Sequence, residues 1–385
     1  MHMIKELFDD VADALNPDDL RTLILFVTNR CNLKCYFCCY KDSLNSTKDL
    51  PIEHFEKMAK SIPRLKSLLI SGGEPFLRED LYDIISLFIK HSGARFISIP
   101  NNGFFTDRVL TLTRKFLEKE KHAFLTLLFS IDGFEEAHDQ VRGMKGSHER
   151  AMTSVREMLK IRDEFPNVRV TITTVACEEN MNQLMDWAKY VHQTFPTLDY
   201  HNMELSRVGM PAIDAVPNIR AINAKFKEVY NEVSKYYTLE RKDNHVYPFF
   251  SERLARLLTR SFDLLRMDIY DKLVNKRQDW PFHCLAGKTI AVVDANGDFR
   301  ACELRSVLLN LKEVDYDISK ALATEANRHE IAQIAKGKCF CTHGCFIGDS
   351  QRHFASNFVY RLWWKLIEDR LRSKNVPSPF AAAAN

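Results

Sequence analysis

The chain has 385 residues, 45% of them hydrophobic and 27% charged, which is globular composition and excludes a collagenous, low-complexity or wholly disordered polymer. Lysine and arginine total 54 against 51 acidic residues, and a net charge of +3 is too balanced to draw nucleic acid or a membrane by long-range attraction. No apolar run approaches the ~20 residues of a membrane span, and no secretory signal is visible. The expected compartment is the cytoplasm, where the ten cysteines stay reduced and ask for a metal rather than disulfides.

Residues 1–20 read as an amphipathic helical lead-in. From 21 to 210, short apolar runs alternate with amphipathic stretches. The runs are Thr22–Val27, Ser67–Ser71, Phe96–Ile99, Leu125–Ile131, Arg169–Val175 and Leu198–Glu204. They are rich in Leu, Ile, Val, Thr and Phe, as buried parallel strands are. Between them Ile52, Phe55, Met58, Ala59 and Ile62 define one helical face, and Leu184, Trp187, Ala188, Val191 and Phe195 another. Six such alternations predict an α/β fold, a parallel sheet or partial (β/α)6 barrel. Right-handed crossovers then bring all strand C-termini to one side, where barrel chemistry sits.

Residues 211–282 break the alternation and predict a helical insert, with one seam from Ile222 to Tyr236 and a second over 251–274. Asn296-Gly297 between the runs Thr289–Val293 and Asp298–Ala301 predicts a hairpin, because such a turn needs positive φ. The hairpin lies in a small unit at 283–350. A helix over 354–371 and a tail complete the segment 351–385.

Nine of the ten cysteines fall into two groups. The first follows strand one, in Thr28-Asn29-Arg30-Cys31-Asn32-Leu33-Lys34-Cys35-Tyr36-Phe37-Cys38. Three thiolates on one loop can hold three irons of a cubane and leave the fourth open, as a catalytic metal site does. A zinc knob or a ferredoxin-type cluster is the alternative, but those motifs usually open on Cys-x2-Cys. Cys39 follows the trio and reads as a spare.

The Cys-x3-Cys-x2-Cys spacing resembles that of the radical S-adenosylmethionine (radical SAM) superfamily. Further motifs agree with it. Ser71-Gly72-Gly73-Glu74-Pro75 after strand two resembles the family's Gly-Gly-Glu-Pro, which implies that Gly72, Gly73, Glu74 and Pro75 hold the SAM amino group. Asn101-Asn102-Gly103 is similar to Thr-Asn-Gly, with Asn101 in place of Thr, and adds Asn102. Ser130-Ile131-Asp132-Gly133 and His138-Asp139-Gln140-Val141-Arg142-Gly143 resemble the paired motifs of members with SPASM or twitch extensions. The resemblance implies that Ser130 and Arg142 meet the SAM carboxylate and that Asp132 lies near the ribose. A guanidinium suits a carboxylate through two parallel hydrogen bonds. Glu204-Leu205-Ser206-Arg207 resembles the adenine-contacting edge and adds Leu205.

The second group begins Cys284-x12-Gly297-x4-Cys302 and ends Cys339-Phe340-Cys341-Thr342-His343-Gly344-Cys345. The opening is similar to that of SPASM and twitch domains. Five cysteines suit one auxiliary [4Fe-4S] cluster, with four or more of Cys284, Cys302, Cys339, Cys341 and Cys345 as ligands. A structural zinc site, held by four of these thiolates or by three of them plus His343, is the alternative. Cys177 stands alone after strand five and reads either as a buried small residue or as a hydrogen donor to a substrate radical.

The resemblance implies an enzyme that reductively cleaves SAM to a 5′-deoxyadenosyl radical and takes hydrogen from a substrate C–H bond. An auxiliary cluster would accept an electron or bind substrate. The implied partners are a flavodoxin- or ferredoxin-type reductant and a substrate that is either a small metabolite, such as a sugar or nucleotide derivative, or a ribosomally made peptide. A peptide or sulfatase-type maturase is the specific alternative, weakened by the short stretch before strand one. A two-cluster electron carrier or metallochaperone would leave Glu74, Ser130 and Arg142 without purpose.

Overall fold

The computed structural model describes residues 19–38, 40–46, 48–206, 218–236, 265–276, 280, 282–336 and 341–353. The lead-in up to 18, the insert outside 218–236 and 265–276, Cys39, Cys339 and the expected helix over 354–371 lie outside the described residues.

Six parallel strands form the expected core. They are β1 (Thr22–Phe26), β2 (Ser67–Ser71), β3 (Phe96–Asn101), β4 (Phe124–Ser130), β5 (Val168–Ala176) and β6 (Tyr200–Leu205). The helices between them are α1 (Ile52–Ser61), α2 (Leu81–Ser92), α3 (Thr106–Lys119), α4 (Glu135–Arg142), α5 (Ser147–Glu164) and α6 (Leu184–Thr194). β3 runs two residues past its apolar run, through Pro100. It pairs with β2 only over Phe96–Ser98, so the missing Pro100 N–H faces no ladder on that side.

Side-chain alternation sorts the sheet into two faces. Leu23, Leu25, Leu68, Ile70, Ile97, Leu125, Leu127, Phe129 and Ile172 join the outer helices in one apolar core. Thr22, Ile24 and Phe26 point to the opposite, inner face, with Leu69, Ser98, Thr126, Ser130, Thr173, Asn202 and Glu204 in register. α7 (Ile219–Tyr236) and the helical residues 265–271 carry a second apolar cluster around the β6 edge.

The C-terminal part completes this sheet. β7 (Ile290–Val293) pairs in parallel with β1, matching Thr22 to Ile290 and Leu25 to Val293. β8 (Asp298–Arg300) and β9 (Leu309–Asn310) follow antiparallel, giving nine strands in the order β6-β5-β4-β3-β2-β1-β7-β8-β9. The hairpin turn differs from the simplest Asn-Gly form. Only Gly297 takes positive φ, at 89°, while Asp294 N–H donates to Asp298 O at 2.8 Å and Gly297 N–H to Asp294 O at 2.9 Å. This is a three-residue loop with glycine at its left-handed position.

Three helices follow, α8 (Ile318–Leu322), α9 (Glu325–Lys336) and α10 (Gly344–His353). α10 lies on the inner face. Its Asp349 accepts from Thr22 Oγ1 at 2.8 Å and Thr289 Oγ1 at 2.5 Å, and Phe346 and Ile347 are fully buried. Burying each such side chain contributes about 1.5–3 kcal/mol. Among the described residues no helix is long and apolar enough to cross a membrane.

Candidate active site at the barrel mouth

Cys31, Cys35 and Cys38 lie on the loop leaving the C-terminal end of β1, all half-buried. Three features hold that loop. The first is the glycine pair after β2. Gly73 N–H donates to Thr28 O at 2.9 Å and Glu74 N–H to Arg30 O at 2.8 Å. A Cβ on Gly73 would lie 2.2 Å from Arg30 O, and one on Gly72 2.4 Å from Thr28 O. The close approach that these glycines allow is therefore to the cysteine loop itself.

The second is the C-terminal end of α4. Its Val141 and Arg142 carbonyls, which have no partner within the helix, accept from Tyr36 N–H at 3.0 Å and Lys34 N–H at 3.2 Å. Gly143 ends the helix at φ 68°, where a Cβ would meet Lys34 O at 2.8 Å. The third is Asn45, at φ 58°. Its amide accepts from Cys31 N–H at 3.1 Å and donates to Cys31 O at 3.2 Å, clamping the first cysteine from both sides. Sequence reasoning missed Asn45. An Asn in a polar loop tolerates the left-handed region, but nothing in the spacing links it to Cys31.

Burial pushes the Cys31 thiol up to about 12, and nearby Glu74, Cys35 and Cys38 add to the rise. Burial raises Cys38 as well, with Cys35 contributing. Cys31 and Cys38, each raised in part by a neighbouring thiol, suit a cationic partner, and thiolate is the donor that iron–sulfur clusters take. Among the described residues, no three His, Cys, Asp or Glu side chains gather closely enough to hold a single metal ion. The fit to a cluster rests on donor chemistry and on how firmly the loop is held.

Glu74 is buried at the start of the 3-10 turn Pro75–Leu77. Its Oε1 accepts from Phe76 N–H at 3.0 Å and its Oε2 from Asn102 N–H at 2.8 Å. Burial lifts its carboxyl to about 7 against these two donors. Asn102 Nδ2 reaches Asn32 Oδ1, inside the cysteine motif, at 2.9 Å.

Ser130 ends β4 on the inner face, half-exposed. Asp132 is fully buried. Its Oδ1 accepts from Val175 N–H at 2.9 Å, and its Oδ2 from Arg142 Nε at 2.6 Å. Arg142 also points Nη1 at Cys35 Sγ, 3.7 Å away, and covers the Phe37 ring at 5.3 Å. The Asp132–Arg142 pair thus ties the ends of β4 and β5 to the second cysteine. His138 Nδ1 accepts from Asp132 N–H at 3.1 Å, and burial lowers its pKa to about 3, so the ring is neutral. Asp139 caps α5, accepting from His148 N–H and Ser147 Oγ at 2.9 Å.

Leu205 ends β6 on the outer side, buried with Leu184 and Ala188. Its neighbour Glu204 faces inward and accepts from Arg266 at 2.9 Å and Tyr270 Oη at 3.0 Å. Cys177 is buried, and burial raises its thiol, with Glu179 and Asp132 adding to the effect. Asn180, unnoticed in the sequence, donates to the carbonyls of Asp132 and Val175 at 2.7 and 2.8 Å. Of the second cysteine group, Cys302 and Cys341 are buried in one apolar cluster with Cys284 at its edge. Cys345 is exposed in the first turn of α10. Trp280 Nε1 donates to Cys341 O at 3.0 Å, and His343 Nε2 pairs with Glu303 at 2.9 Å. Cys339 lies outside the described residues.

The described geometry is a parallel partial barrel with a clamped trio of thiols at its mouth. The comparisons supply the family. Residues 25–191 match the model described as the radical SAM superfamily, so the chain carries a radical SAM domain. That domain implies S-adenosyl-L-methionine and a [4Fe-4S] cluster as cofactors. A probable GTP 3′,8-cyclase of Methanococcus maripaludis is 27% identical over 219 residues, 55% of this chain and 69% of that protein. Pre-heme d1 synthase of Dinoroseobacter shibae is 28% identical over 195 residues, 49% of this chain and 45% of that one. Among solved structures, native anSMEcpe with bound AdoMet and Cp18Cys peptide superposes with TM-score 0.55 at 16% identity, over 90% of this chain and 95% of that one. That last likeness is one of fold.

Proposed function

We propose that the chain is a radical SAM oxidoreductase or maturase acting on a substrate C–H bond, with an auxiliary cluster in residues 283–350. The observation that carries this reading is the cysteine trio on the loop after β1, held by the Gly72-Gly73 pair, Asn45 and the Asp132–Arg142 end of α4. When bound, the cluster and SAM would supply radical chemistry directed at a substrate C–H bond.

The residues divide the remaining tasks. Cys31, Cys35 and Cys38 ligate the cluster. Glu74 is already held by two backbone N–H groups, and its remaining lone pairs receive the SAM amino group beside Gly72, Gly73 and Pro75. Asn102 fixes both Glu74, through its N–H, and the cysteine loop, through Asn32. The inward Ser130 hydroxyl would be available to the SAM carboxylate. Arg142 acts there from its anchored position against Asp132 and Cys35. The β6 end at Leu205 closes the adenine side with its backbone. Cys284, Cys302, Cys341 and Cys345, with Cys339, supply the auxiliary cluster. Cys177, a buried thiol, would return a hydrogen atom to a substrate radical. A flavodoxin- or ferredoxin-type protein supplies electrons.

The matched relatives named for nucleotide and tetrapyrrole chemistry favour a small-metabolite substrate. A peptide maturase is the second reading, favoured by a fold shared with a peptide-bound structure along nearly all of its length. Anaerobic reconstitution with iron and sulfide, followed by dithionite and SAM, is expected to release 5′-deoxyadenosine. About eight irons per chain are expected for two cubanes of four. No 5′-deoxyadenosine from iron-replete protein would refute the class, and about four irons would remove the auxiliary cluster.

A further inference from the structure

Asn32 lies inside the cysteine motif, one residue after Cys31. The orientation of its side-chain amide is set by a backbone group outside the loop. Phe104 N–H can only donate, and it donates to the Asn102 side chain at 2.9 Å, so the oxygen Oδ1 of Asn102 stands there. The Asn102 nitrogen Nδ2 then faces Asn32 at 2.9 Å, and only the Asn32 oxygen can receive it. Asn102 is itself buried, with its own N–H held by Glu74 Oε2 at 2.8 Å. The Asn32 NH2 group is therefore turned away from Asn102. Flipping the amide would set two donors against each other.

That NH2 group is shielded from solvent, and among the described residues nothing accepts from it. Buried donors in folded proteins are nearly always paired. A donor aimed in one direction by its neighbours, within a loop of three thiols, points to an acceptor outside the polypeptide. The sulfurs of this loop already receive other donors. Leu33 N–H donates to Cys31 Sγ at 3.5 Å, and Arg142 Nη1 to Cys35 Sγ at 3.7 Å. Hydrogen bonds to the sulfurs of an iron–sulfur cluster are among the factors that set its reduction potential. Arg142 brings a full charge to that task, whereas the Asn32 amide is neutral and does not titrate.

We infer that Asn32 donates from Nδ2 to a sulfur of the proposed [4Fe-4S] cluster and raises its reduction potential, and that Asn102 is the positioning residue that aims it. The inference rests on the radical SAM reading and concerns the tuning of that same site. A donor stabilises the added negative charge of the reduced cluster, so one-electron reduction by the flavodoxin- or ferredoxin-type donor becomes easier. The contact from Phe104 through Asn102 to Asn32 makes the end of β3 part of that control.

The test is the midpoint potential of the full-length, anaerobically reconstituted protein without SAM, followed by EPR during reductive titration. The signal that shifts on adding SAM to a separate sample identifies the cluster of Cys31, Cys35 and Cys38. Asn32→Leu keeps the branched shape and removes the amide without adding charge. Asn32→Asp keeps an oxygen for Asn102 and exchanges only the NH2 group for a second oxygen. Asn32→Leu is expected to make reduction about tenfold less favourable, a fall of about 59 mV for a one-electron couple, and Asn32→Asp to lower the potential further. Asn102→Leu, which lets the Asn32 amide turn, should lower it by a smaller step. Pulsed EPR of the unsubstituted protein carrying 15N in its asparagine side chains needs no variant, and a 15N coupling at the reduced cluster is expected. Absence of that coupling, or an unchanged potential in an iron-replete Asn32 variant, would overturn the assignment. A shift that appears only once SAM is bound would place the amide on SAM and overturn it too. Iron content and 5′-deoxyadenosine formation by the unsubstituted protein report on the class separately, so the role of Asn32 can fail while the class stands.

Discussion

Glu74 sits at the join between the cysteine loop and the end of β3. It is buried, its two oxygens each take a backbone N–H, and its carboxyl is lifted from 4.5 to about 7. A carboxyl raised on folding costs nothing while both states are protonated, below about 4.5, and the cost grows as pH climbs through the folded value near 7. At full ionisation that gap is worth about 3 kcal/mol. The cluster-free protein should therefore lose stability between pH 5 and pH 8, and Glu74→Gln should flatten that part of the profile while lowering stability at pH 5. Urea midpoints at the two pH values measure this, and equal slopes for the two proteins would contradict it. At this scale spacing and chemistry single out the cysteine trio, Glu74 and Arg142 in the sequence, and folding brings them together: Arg142 reaches Cys35, and Glu74 N–H bonds into the cysteine loop. Asn45 and Asn180 are not singled out, because their role is to bond backbone groups brought near only by folding, and a lone Asn leaves no pattern in a single sequence.

At the level of elements, α4 matters more for where it ends than for its length. Its last carbonyls accept from the cysteine loop, and Gly143 makes the contact sterically possible. Gly143→Ala puts a methyl 2.8 Å from Lys34 O at φ 68°. The strain should cost about 1–3 kcal/mol, read in urea unfolding, and iron retained after reconstitution should fall with it. Full iron in a destabilised variant would mean that the loop holds its shape without this dock. Strands were readable from their apolar runs, within a residue or two at each end. β3 reached further than its run because Pro100 and Asn101 pair only with β4, through Leu128 and Phe129, a partner that composition cannot reveal. The hairpin was foreseen at Asn296-Gly297, but its turn was set by Asp294 bonding across to Asp298.

For the whole molecule, the six-stranded core followed from alternation, whereas the place of the C-terminal part did not. Neither periodicity nor cysteine spacing indicates that β7 lies along β1 or that α10 sits on the inner face, because both depend on contacts between distant segments. Asp349 is the clearest of these, joining Thr22 and Thr289 from α10. Asp349→Ala leaves two buried hydroxyls without acceptors, at about 1–3 kcal/mol for each group stranded. The expected result is a lower thermal midpoint together with faster proteolysis of the C-terminal third. A variant that melts like the unsubstituted protein would show that α10 is held by its apolar contacts alone.

The pairing of Thr22 with Ile290 spans 268 positions, 290 minus 22. During synthesis the first strand leaves the ribosome early, yet one of its two flanks stays bare until most of the polypeptide has been made. The cysteine loop proposed to hold the cluster hangs from that strand. Its final rigidity is therefore a late event, and metal loading before release from the ribosome would meet a cradle still missing one of its sides.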